Sequence, residues 1–428
     1  MMRSVNPSPL LRLGRTGPIF VRSRITTTRI QSLLRTDHVS RSCSSSSSST
    51  SSSTSTTTTT TTTTTNGPFN HEAYLQRATQ RLASQQPTTI PDTLSPTQSH
   101  LLTLSLAHHC PDLFPQQPSP FLLDGRQPPR RADGALPQGH HLVYFPPQLP
   151  PAQLMPDGTD SAHWPGGPFV RRMWAGGEVV FEDGWEAELR LDNRRAACVE
   201  SVGRPEMKGV QGGGGGGGGG SGSGSGGGKE KVFVDVTRRY GVAEEDRWGL
   251  GENRAVVREV RRLVFMREVE GAEGSRRKEE GRKGVRVTAT PEFTFTLRPD
   301  ATLLFHFSAL TYNAHRIHLD PDYAVNREGY KGLLVHGPLT LVLMFSALRA
   351  ALFKSTEGAL APDAVGPKPY VKSINYRNLA PLYVDEDLRI CLRRARTRDA
   401  EVDWDVWIEG PDGGLAVKAS AVTKDPSP

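Results

Sequence analysis

The chain has 428 residues, 36% of them apolar, and a formal net charge of +7, which is enough length for two domains with separate cores. Its longest apolar stretch, Leu339–Phe345, is far shorter than the ~18–20 residues that cross a bilayer, so no membrane span is predicted. Residues 1–41 hold eight arginines and one acid, and eight minus one is the whole excess, so the nearly neutral remainder excludes a basic nucleic-acid-binding surface.

Residues 1–41 mix those arginines with Ser, Thr and scattered apolar residues. Arg12 and Arg15 interrupt the apolar core that a secretory signal needs, so we predict a mitochondrial transit peptide and a location in the matrix. A basic tail without a targeting function is the alternative. Residues 42–68 include the tract Ser44–Thr65, which cannot bury apolar surface and is predicted to be disordered. The four cysteines are widely spaced, which predicts neither a zinc site nor a disulfide framework and fits a reducing compartment.

An N-terminal domain is predicted over residues 69–275, beginning with a helix at His71–Ser84. Short, partly alternating segments predict its strands, at Arg171–Phe181, Ala187–Leu191, Ala196–Val202, Lys231–Thr237 and Asn253–Met266. The Gly/Ser tract at residues 212–228 lies between two strands of a predicted pair, so we interpret it as a disordered insertion in a hairpin connection. The charged segment Arg276–Lys283 is predicted to be the linker between domains.

A C-terminal domain is predicted over residues 285–428. Its strands are predicted at Glu292–Leu297, Leu303–Phe307, Leu388–Leu392, Val402–Ile408 and Leu415–Ala421. The turn Pro411–Gly414 joins the last two strands. Pro338–Phe353 is apolar all round in its first two turns, which predicts a buried helix. With a similar strand load in the first half, the sequence predicts an α+β double hot-dog fold, in which two antiparallel sheets each wrap a central helix.

Three histidines fall close together in the second half: His315 and His318 in the segment SALTYNAHRIH, and His336 just before Gly337. A histidine can remove a weakly acidic proton near neutral pH, and backbone amides at a helix N-terminus can stabilise an oxyanion. We therefore predict His318 as the base and the Gly337 amide as the oxyanion donor. A structural histidine and a glycine needed only for packing are the alternatives. His336 either orients the loop or merely packs, and no metal or redox cofactor is implied.

The segment also resembles a known motif. R-specific hydratases carry Ser-any-Leu-Ser/Thr-Gly-Asp-any-Asn-Pro-Ile/Val-His, and the residues in register with it are Ser308, Leu310, Thr311, Ile317 and His318. The chain departs at Tyr312 for Gly, Asn313 for the catalytic Asp, His315 for Asn and Arg316 for Pro. This pattern of departures resembles the mitochondrial type 2 3-hydroxyacyl-thioester dehydratases, which are MaoC-like. Flanking segments resemble the same family, so that the resemblance covers roughly residues 90–425: His141–Pro150, Leu154–Asp160, Arg171–Phe181 and Ile374–Glu386.

The resemblance implies dehydration of (R)-3-hydroxyacyl thioesters to trans-2-enoyl thioesters in mitochondrial type II fatty acid synthesis. The substrate would be bound to acyl carrier protein or to CoA, and the resemblance leaves room for a homodimer. The catalytic centre would lie in the second half, and the first half would shape the acyl pocket. Because an amide cannot take a proton, Asn313 would only position water or the substrate hydroxyl, and His315 would share the acid/base work with His318.

Two other functions stay open at the level of sequence. One is a short-chain or dicarboxylyl-CoA hydratase, similar to mesaconyl-CoA hydratases, in which Arg316 or Arg377 would bind the substrate carboxylate. The other is a non-catalytic thioester-binding protein, because Asn313 replaces the catalytic Asp. The presence of His318 and Gly337 argues against the non-catalytic alternative.

Overall fold

The computed structural model describes residues 69–114, 134–209, 230–244, 249–251, 254–268, 284–355 and 369–425. The predicted transit peptide, the Ser/Thr tract, the Gly/Ser insertion and the predicted linker at Arg276–Lys283 lie outside these ranges. The first half contains α1 (His71–Ala83), β1 (Thr88–Thr93), α2 (Pro96–His109), β2 (Phe169–Phe181), α3 (Trp185–Glu188), β3 (Arg195–Val202), β4 (Glu206–Lys208), β5 (Lys231–Val242) and β6 (Val257–Arg267). The second half contains β7 (Phe293–Leu297), α4 (Ala301–Thr311), α5 (Gly337–Ser355), β8 (Tyr370–Asn378), β9 (Leu388–Arg398), β10 (Glu401–Glu409) and β11 (Leu415–Lys424).

The described strands form one antiparallel sheet in the order β1-β3-β5-β6-β2-β8-β11-β10-β9-β7, with β4 paired to β5. Counted outwards from the central β2–β8 pair, the two halves repeat the same arrangement. With the short β4 left aside, the first strand of each half (β1 or β7) lies at the edge and the second (β2 or β8) at the centre. The remaining three strands of each half lie between these two. This internal repeat confirms the predicted α+β double hot-dog class.

The two halves meet where β2 pairs with β8, and glycine makes that pairing close. Gly176 has a φ of 147°, and a Cβ there would lie 2.2 Å from the carbonyl oxygen of Tyr376. The hydroxyl of Tyr376 also accepts a hydrogen bond of 2.8 Å from Nε1 of Trp174. Only a residue without a side chain fits this junction, so the sequence at Gly176 fixes how the halves join.

The predicted buried helix is confirmed as α5, which lies in the main core. Twelve of its residues are buried, and the core around it draws on both halves, including Leu102 of α2 and Phe307 of α4. Among the described residues, α5 is the one helix long and apolar enough to cross a membrane by length and composition. Because 67% of that apolar window is buried by the surrounding protein, the length and composition reflect a core helix.

A second cluster of buried residues lies under α1. Tyr74, Ala78 and Leu82 of this helix pack against alternate residues of β5, beginning at Val232, and against Phe265 of β6. Asn70 caps the helix by accepting a hydrogen bond of 2.9 Å from the amide of Ala73. The strand predictions for this half, with one exception, fall on β2, β3, β5 and β6.

Two strand predictions are wrong. Leu303–Phe307 lies inside α4, where the side chain of Asp300 caps the helix by accepting from the amide of Leu303 at 2.7 Å. A short apolar run carries no period that separates a strand from a buried helix, and the cap decides the outcome. Ala187–Leu191 is split between the short helix α3 and an isolated bridge between Ala135 and Arg190. Because Leu303–Phe307 is helical, the segment that contains His318 follows a helix, where a strand was predicted.

Candidate active site

The segment after α4 folds back on itself and brings the three predicted histidines together. Tyr312 ends the helix in the left-handed region, with a φ of 52°, where the related motif has Gly. The amide of Asn313 donates to the carbonyl of Ser308 at 2.9 Å, and its side-chain Oδ1 accepts from the amide of His315 at 3.1 Å. Asn313 thus fixes the turn through its own side chain, and a short helical turn at Arg316–His318 follows.

His318 is held in its neutral form. Its Nδ1 lies 2.8 Å from the carbonyl oxygen of Leu334, and since a carbonyl only accepts, Nδ1 carries the proton and Nε2 keeps a lone pair. Burial lowers the pKa of His318 to about 4, partly opposed by the Leu334 bond and reinforced by the positive charge of Arg172. The side chain lines the pocket, so an unprotonated imidazole nitrogen is available there at neutral pH.

His336 supports the His318 ring from one side. The two rings stack with their centroids 3.7 Å apart and their planes 23° apart. Nε2 of His336 is 2.8 Å from Oγ of Ser308, while Nδ1 has no hydrogen-bond partner among the described residues. Burial, together with His318 and His315, holds the pKa of His336 well below its ordinary value. His336 is not among the pocket-lining residues, so the geometry favours orientation of the His318 ring over direct contact with substrate.

His315 stands edge-on to His318, with the ring centroids 5.4 Å apart and an interplanar angle of 84°. Its Nε2 lies 3.6 Å from Oδ2 of Asp157, a residue of the first half. Burial, with His318 and Arg172, holds the pKa of His315 well below its ordinary value, and the negative charge of Asp160 opposes this. The structure therefore places the three imidazoles in one row, with His318 in contact with both of the others.

Gly337 is the first residue of α5 and lines the pocket. A Cβ at this position would lie 2.8 Å from Cβ of Trp174 and 3.0 Å from Nδ2 of Asn378, so any larger residue would push these neighbours away. The first amides of a helix have no intrahelical acceptor, and Pro338 has no amide N–H, so the predicted oxyanion donor at this helix start is the amide of Gly337. The close contacts support the tight-packing alternative for this glycine, and its role as an amide donor stays a prediction.

The pocket has a volume of about 880 Å³ and draws its walls from both halves. The second half contributes Asn313, His318 and Gly337, and the first half contributes Trp174 and the loop around Gly158. The first half therefore helps to shape the pocket, as predicted. Within the described ranges, no three His, Cys, Asp or Glu side chains are grouped so that they could hold a metal ion.

A chain of charged side chains on the first-half wall was not predicted from the sequence. Nη1 of Arg172 is 2.7 Å from Oδ2 of Asp160, and Oδ1 of Asp160 is 3.0 Å from Nδ1 of His163. Nε2 of His163 is 2.9 Å from Glu200, whose other oxygen is 2.8 Å from Nε of Arg238. All five line the pocket, so part of its wall is charged.

The pKa shifts within this chain of charged side chains agree with its ion pairs. Burial alone would raise the pKa of Asp160, but Arg172 and His163 hold it well below its ordinary value. Burial alone would lower the pKa of His163, but Asp160 and Glu200 raise it to about 9. Burial likewise opposes ionisation of Glu200, but Arg238 and His163 lower its pKa to about 2. The sequence shows two carboxylates, Asp157 and Asp160, shortly before two arginines near the start of β2, but nothing in it places them at the pocket.

Comparison with known proteins identifies the family. A family model described as hydroxyacyl-thioester dehydratase type 2 matches residues 139–384. The chain belongs to this family. It is therefore a hydro-lyase of the MaoC-like class that acts on hydroxyacyl thioesters, and the resemblance predicted from the histidine motif is confirmed.

Two curated proteins match this chain over most of their own length. Mesaconyl-C(4)-CoA hydratase of Chloroflexus aurantiacus is 30% identical over 302 residues, 68% of this chain and 84% of that protein. The mitochondrial hydroxyacyl-thioester dehydratase type 2 of Schizosaccharomyces pombe is 24% identical over 263 residues, 60% of this chain and 78% of that protein. A solved MaoC-like dehydratase from Phytophthora capsici is similar to 82% of this chain and 98% of its own, with 16% identity and a TM-score of 0.49.

Proposed function

We propose that the protein catalyses the reversible dehydration of (R)-3-hydroxyacyl thioesters to trans-2-enoyl thioesters, with His318 as the base. The observation that carries this proposal is the bond from Nδ1 of His318 to the Leu334 carbonyl. That bond leaves the lone pair on Nε2 of His318, and His318 lines the same pocket as Gly337, the first residue of α5. A base and an oxyanion donor in one pocket are the two groups that the elimination requires.

In the proposed reaction, the thioester oxygen binds at the amide of Gly337, at the N-terminus of α5. Nε2 of His318 removes the proton on C2, and the negative charge that develops on the thioester oxygen is stabilised by that amide. The bond from C3 to the hydroxyl oxygen then breaks, and the proton held on His318 passes to the departing hydroxide. One hydroxyacyl thioester gives one enoyl thioester and one water, and His318 returns to its neutral form.

Asn313 stands where the related motif has a catalytic Asp, but its amide does not act as an acid or a base in this scheme. Its Oδ1 is engaged by the amide of His315, which leaves the Nδ2 donors to hold the departing hydroxyl or the attacking water. Asn313 lines the pocket, so this contact is within its reach. We propose it as a residue that positions the oxygen and never as the base.

We further propose that the acyl group is carried by acyl carrier protein and that the enzyme works in the mitochondrial matrix, in fatty acid synthesis. Two observations support the mitochondrial location. Residues 1–41 have the composition of a transit peptide, and the Schizosaccharomyces pombe relative is named as mitochondrial. CoA is the alternative carrier.

A second candidate function is the hydration of a short dicarboxylyl-CoA thioester. The name of the Chloroflexus aurantiacus relative motivates it, and a half-buried arginine that lines the pocket favours it. Of the arginines proposed from the sequence, Arg316 is exposed and paired with Asp320, and Arg377 lies exposed at the pocket edge. Arg172 is the better placed group, because it lines the pocket and its charge acts on His318.

The test is hydration of three thioesters by the purified full chain: crotonyl-CoA, crotonyl-acyl carrier protein and mesaconyl-C(4)-CoA. Loss of the enoyl thioester absorbance gives kcat/KM for each. The leading proposal expects the carrier-protein substrate to be preferred, and the second candidate expects the dicarboxylyl substrate to be preferred. No hydration of any of the three thioesters would remove the proposed activity, and the non-catalytic alternative would then stand.

A further inference from the structure

A turn of the first half is clamped onto the histidine segment of the second half. The amide of Arg316 donates to the carbonyl of Asp157 at 2.8 Å. The next residue, Gly158, has a φ of 85°, and a Cβ there would lie 1.9 Å from the carbonyl oxygen of Ala314. These two backbone contacts fix the position of the Asp157 side chain relative to His315.

The turn brings two carboxylates to the site, and their surroundings differ. Asp160 lies between two cations, since Arg172 and His163 are 2.7 Å and 3.0 Å from its oxygens. Asp157 accepts at Oδ1 from the amide and the hydroxyl of Thr159, at 2.9 Å and 2.7 Å. Its Oδ2 lies 3.6 Å from Nε2 of His315, which among the described residues is the only basic side chain at ion-pair distance from it.

The carboxylate of Asp157 therefore lies at the His315 end of the row of imidazoles. It lies beside Nε2 of His315, and the His315 ring is edge-on to His318 at 5.4 Å. The related motif carries a carboxylate in the position of Asn313, and this chain has none there. Asp157 lies beside His315 of the same histidine pair and belongs to a different half of the molecule.

We infer that Asp157 is a positioning residue that supplies, through His315, the carboxylate which Asn313 does not provide. The inference rests on the proposed function, because it concerns the same base. When His318 takes the C2 proton, the imidazole pair gains a positive charge, and the Asp157 carboxylate stabilises that charge. Asp157 does not take the proton itself; the proton leaves with the water.

The sign of the pH effect follows from the groups that face His315. Asp157 and Asp160 favour a positive charge on the histidines, whereas Arg172 and the neighbouring His318, when protonated, oppose it. Removing the charge of Asp157 therefore makes the histidine pair harder to protonate. The acid limb of the profile of kcat/KM against pH, where the base becomes protonated, should move to lower pH.

The test uses the full chain with Asp157→Asn, Asp157→Glu, and the pair Asp157→Asn with Asn313→Asp. Asp157→Asn should lower kcat by roughly 10- to 100-fold, less than the ~10²–10⁴ expected for losing the base itself, and should shift the acid limb downward. Asp157→Glu, which keeps the charge, should retain more activity. Adding Asn313→Asp should restore activity to Asp157→Asn, because it returns a carboxylate to the same histidines.

Asp322→Asn is the matched control, because Asp322 is exposed and its carboxylate accepts from Nδ2 of Asn326. It should leave kcat and the pH profile unchanged. The inference is overturned if Asp157→Asn leaves both unchanged, or if it lowers kcat and the melting temperature without shifting the acid limb and without rescue by Asn313→Asp. If His318→Ala abolishes turnover in the same assay, the proposed function stands even when this inference fails.

Discussion

At the residue scale, the structure makes a direct prediction for His318. His318→Ala should lower kcat by on the order of 10²–10⁴, the range for losing a general acid/base. The fold should survive, because His336 keeps its bond to Ser308 and the segment is also held by Asn313. The measurement is hydration of crotonyl-CoA, with the melting temperature of each variant recorded alongside.

His315→Ala is the comparison variant, because both histidines are buried in the same row. His318 has a fixed tautomer and lines the pocket, whereas His315 faces Asp157 and is not among the pocket-lining residues. The loss should therefore be larger for His318→Ala than for His315→Ala. An active His318→Ala enzyme beside an inactive His315→Ala enzyme would move the base to His315.

At the element scale, the pairing of β4 with β5 bears on the Gly/Ser insertion. Lys208 pairs with Lys231, so the ends of the intervening segment already lie next to each other as in a hairpin. Deleting residues 212–228 leaves residues 209–211 and 229–230, a length that closes a hairpin. We expect kcat/KM to be unchanged and the free energy of unfolding to stay level or rise, since each halving of a flexible loop is worth about 0.6 kcal/mol. A large loss of folded protein, measured by thermal melting, would show that the tract packs against the sheet.

The elements also show which parts of a fold a sequence reveals. The strands of the second half were predicted because β9, β10 and β11 alternate apolar and polar residues and are joined by short turns. The stretch Leu303–Phe307 was predicted as a strand from the same kind of alternation, but five residues are too few to separate a strand from a helix, and the cap at Asp300 makes it part of α4. A five-residue alternating segment can therefore belong to either a strand or a helix, whereas the longer apolar run of α5 was predicted correctly.

At the scale of the whole molecule, the site depends on contacts between residues far apart in the chain. His318 and Asn313 were predicted because one motif carries both, and Gly337 was predicted because it precedes the apolar run that forms α5. Arg172 and Asp157 were not found, because they reach the site only through the β2–β8 junction and the clamp at Gly158. No local pattern in the first half reports that pairing, so its charged residues could only be placed by the fold.

The burial of neutral histidines predicts how the stability of the whole molecule varies with pH. Burial lowers the pKa of His318 and His141 to about 4, and holds those of His140, His315 and His336 well below the ordinary value. An unfolded chain binds protons at these histidines near pH 6.5, about 2.5 units above His318 in the folded protein. Between these values the unfolded state holds more protons, so the free energy of unfolding should fall as pH falls from about 6.5 to about 4.

His163 provides a control, because its pKa is shifted in the opposite direction. Its pKa is raised to about 9 because, against the effect of burial, Asp160 and Glu200 favour its charged form. Its contribution to stability is complete below about pH 6.5 and is lost as pH rises toward 9. Urea unfolding across this range should therefore show stability falling on both sides, and His163→Gln should flatten the alkaline side while leaving the acid side steep. A free energy of unfolding that did not change between pH 6.5 and 4 would mean that these imidazoles are not buried as neutral groups.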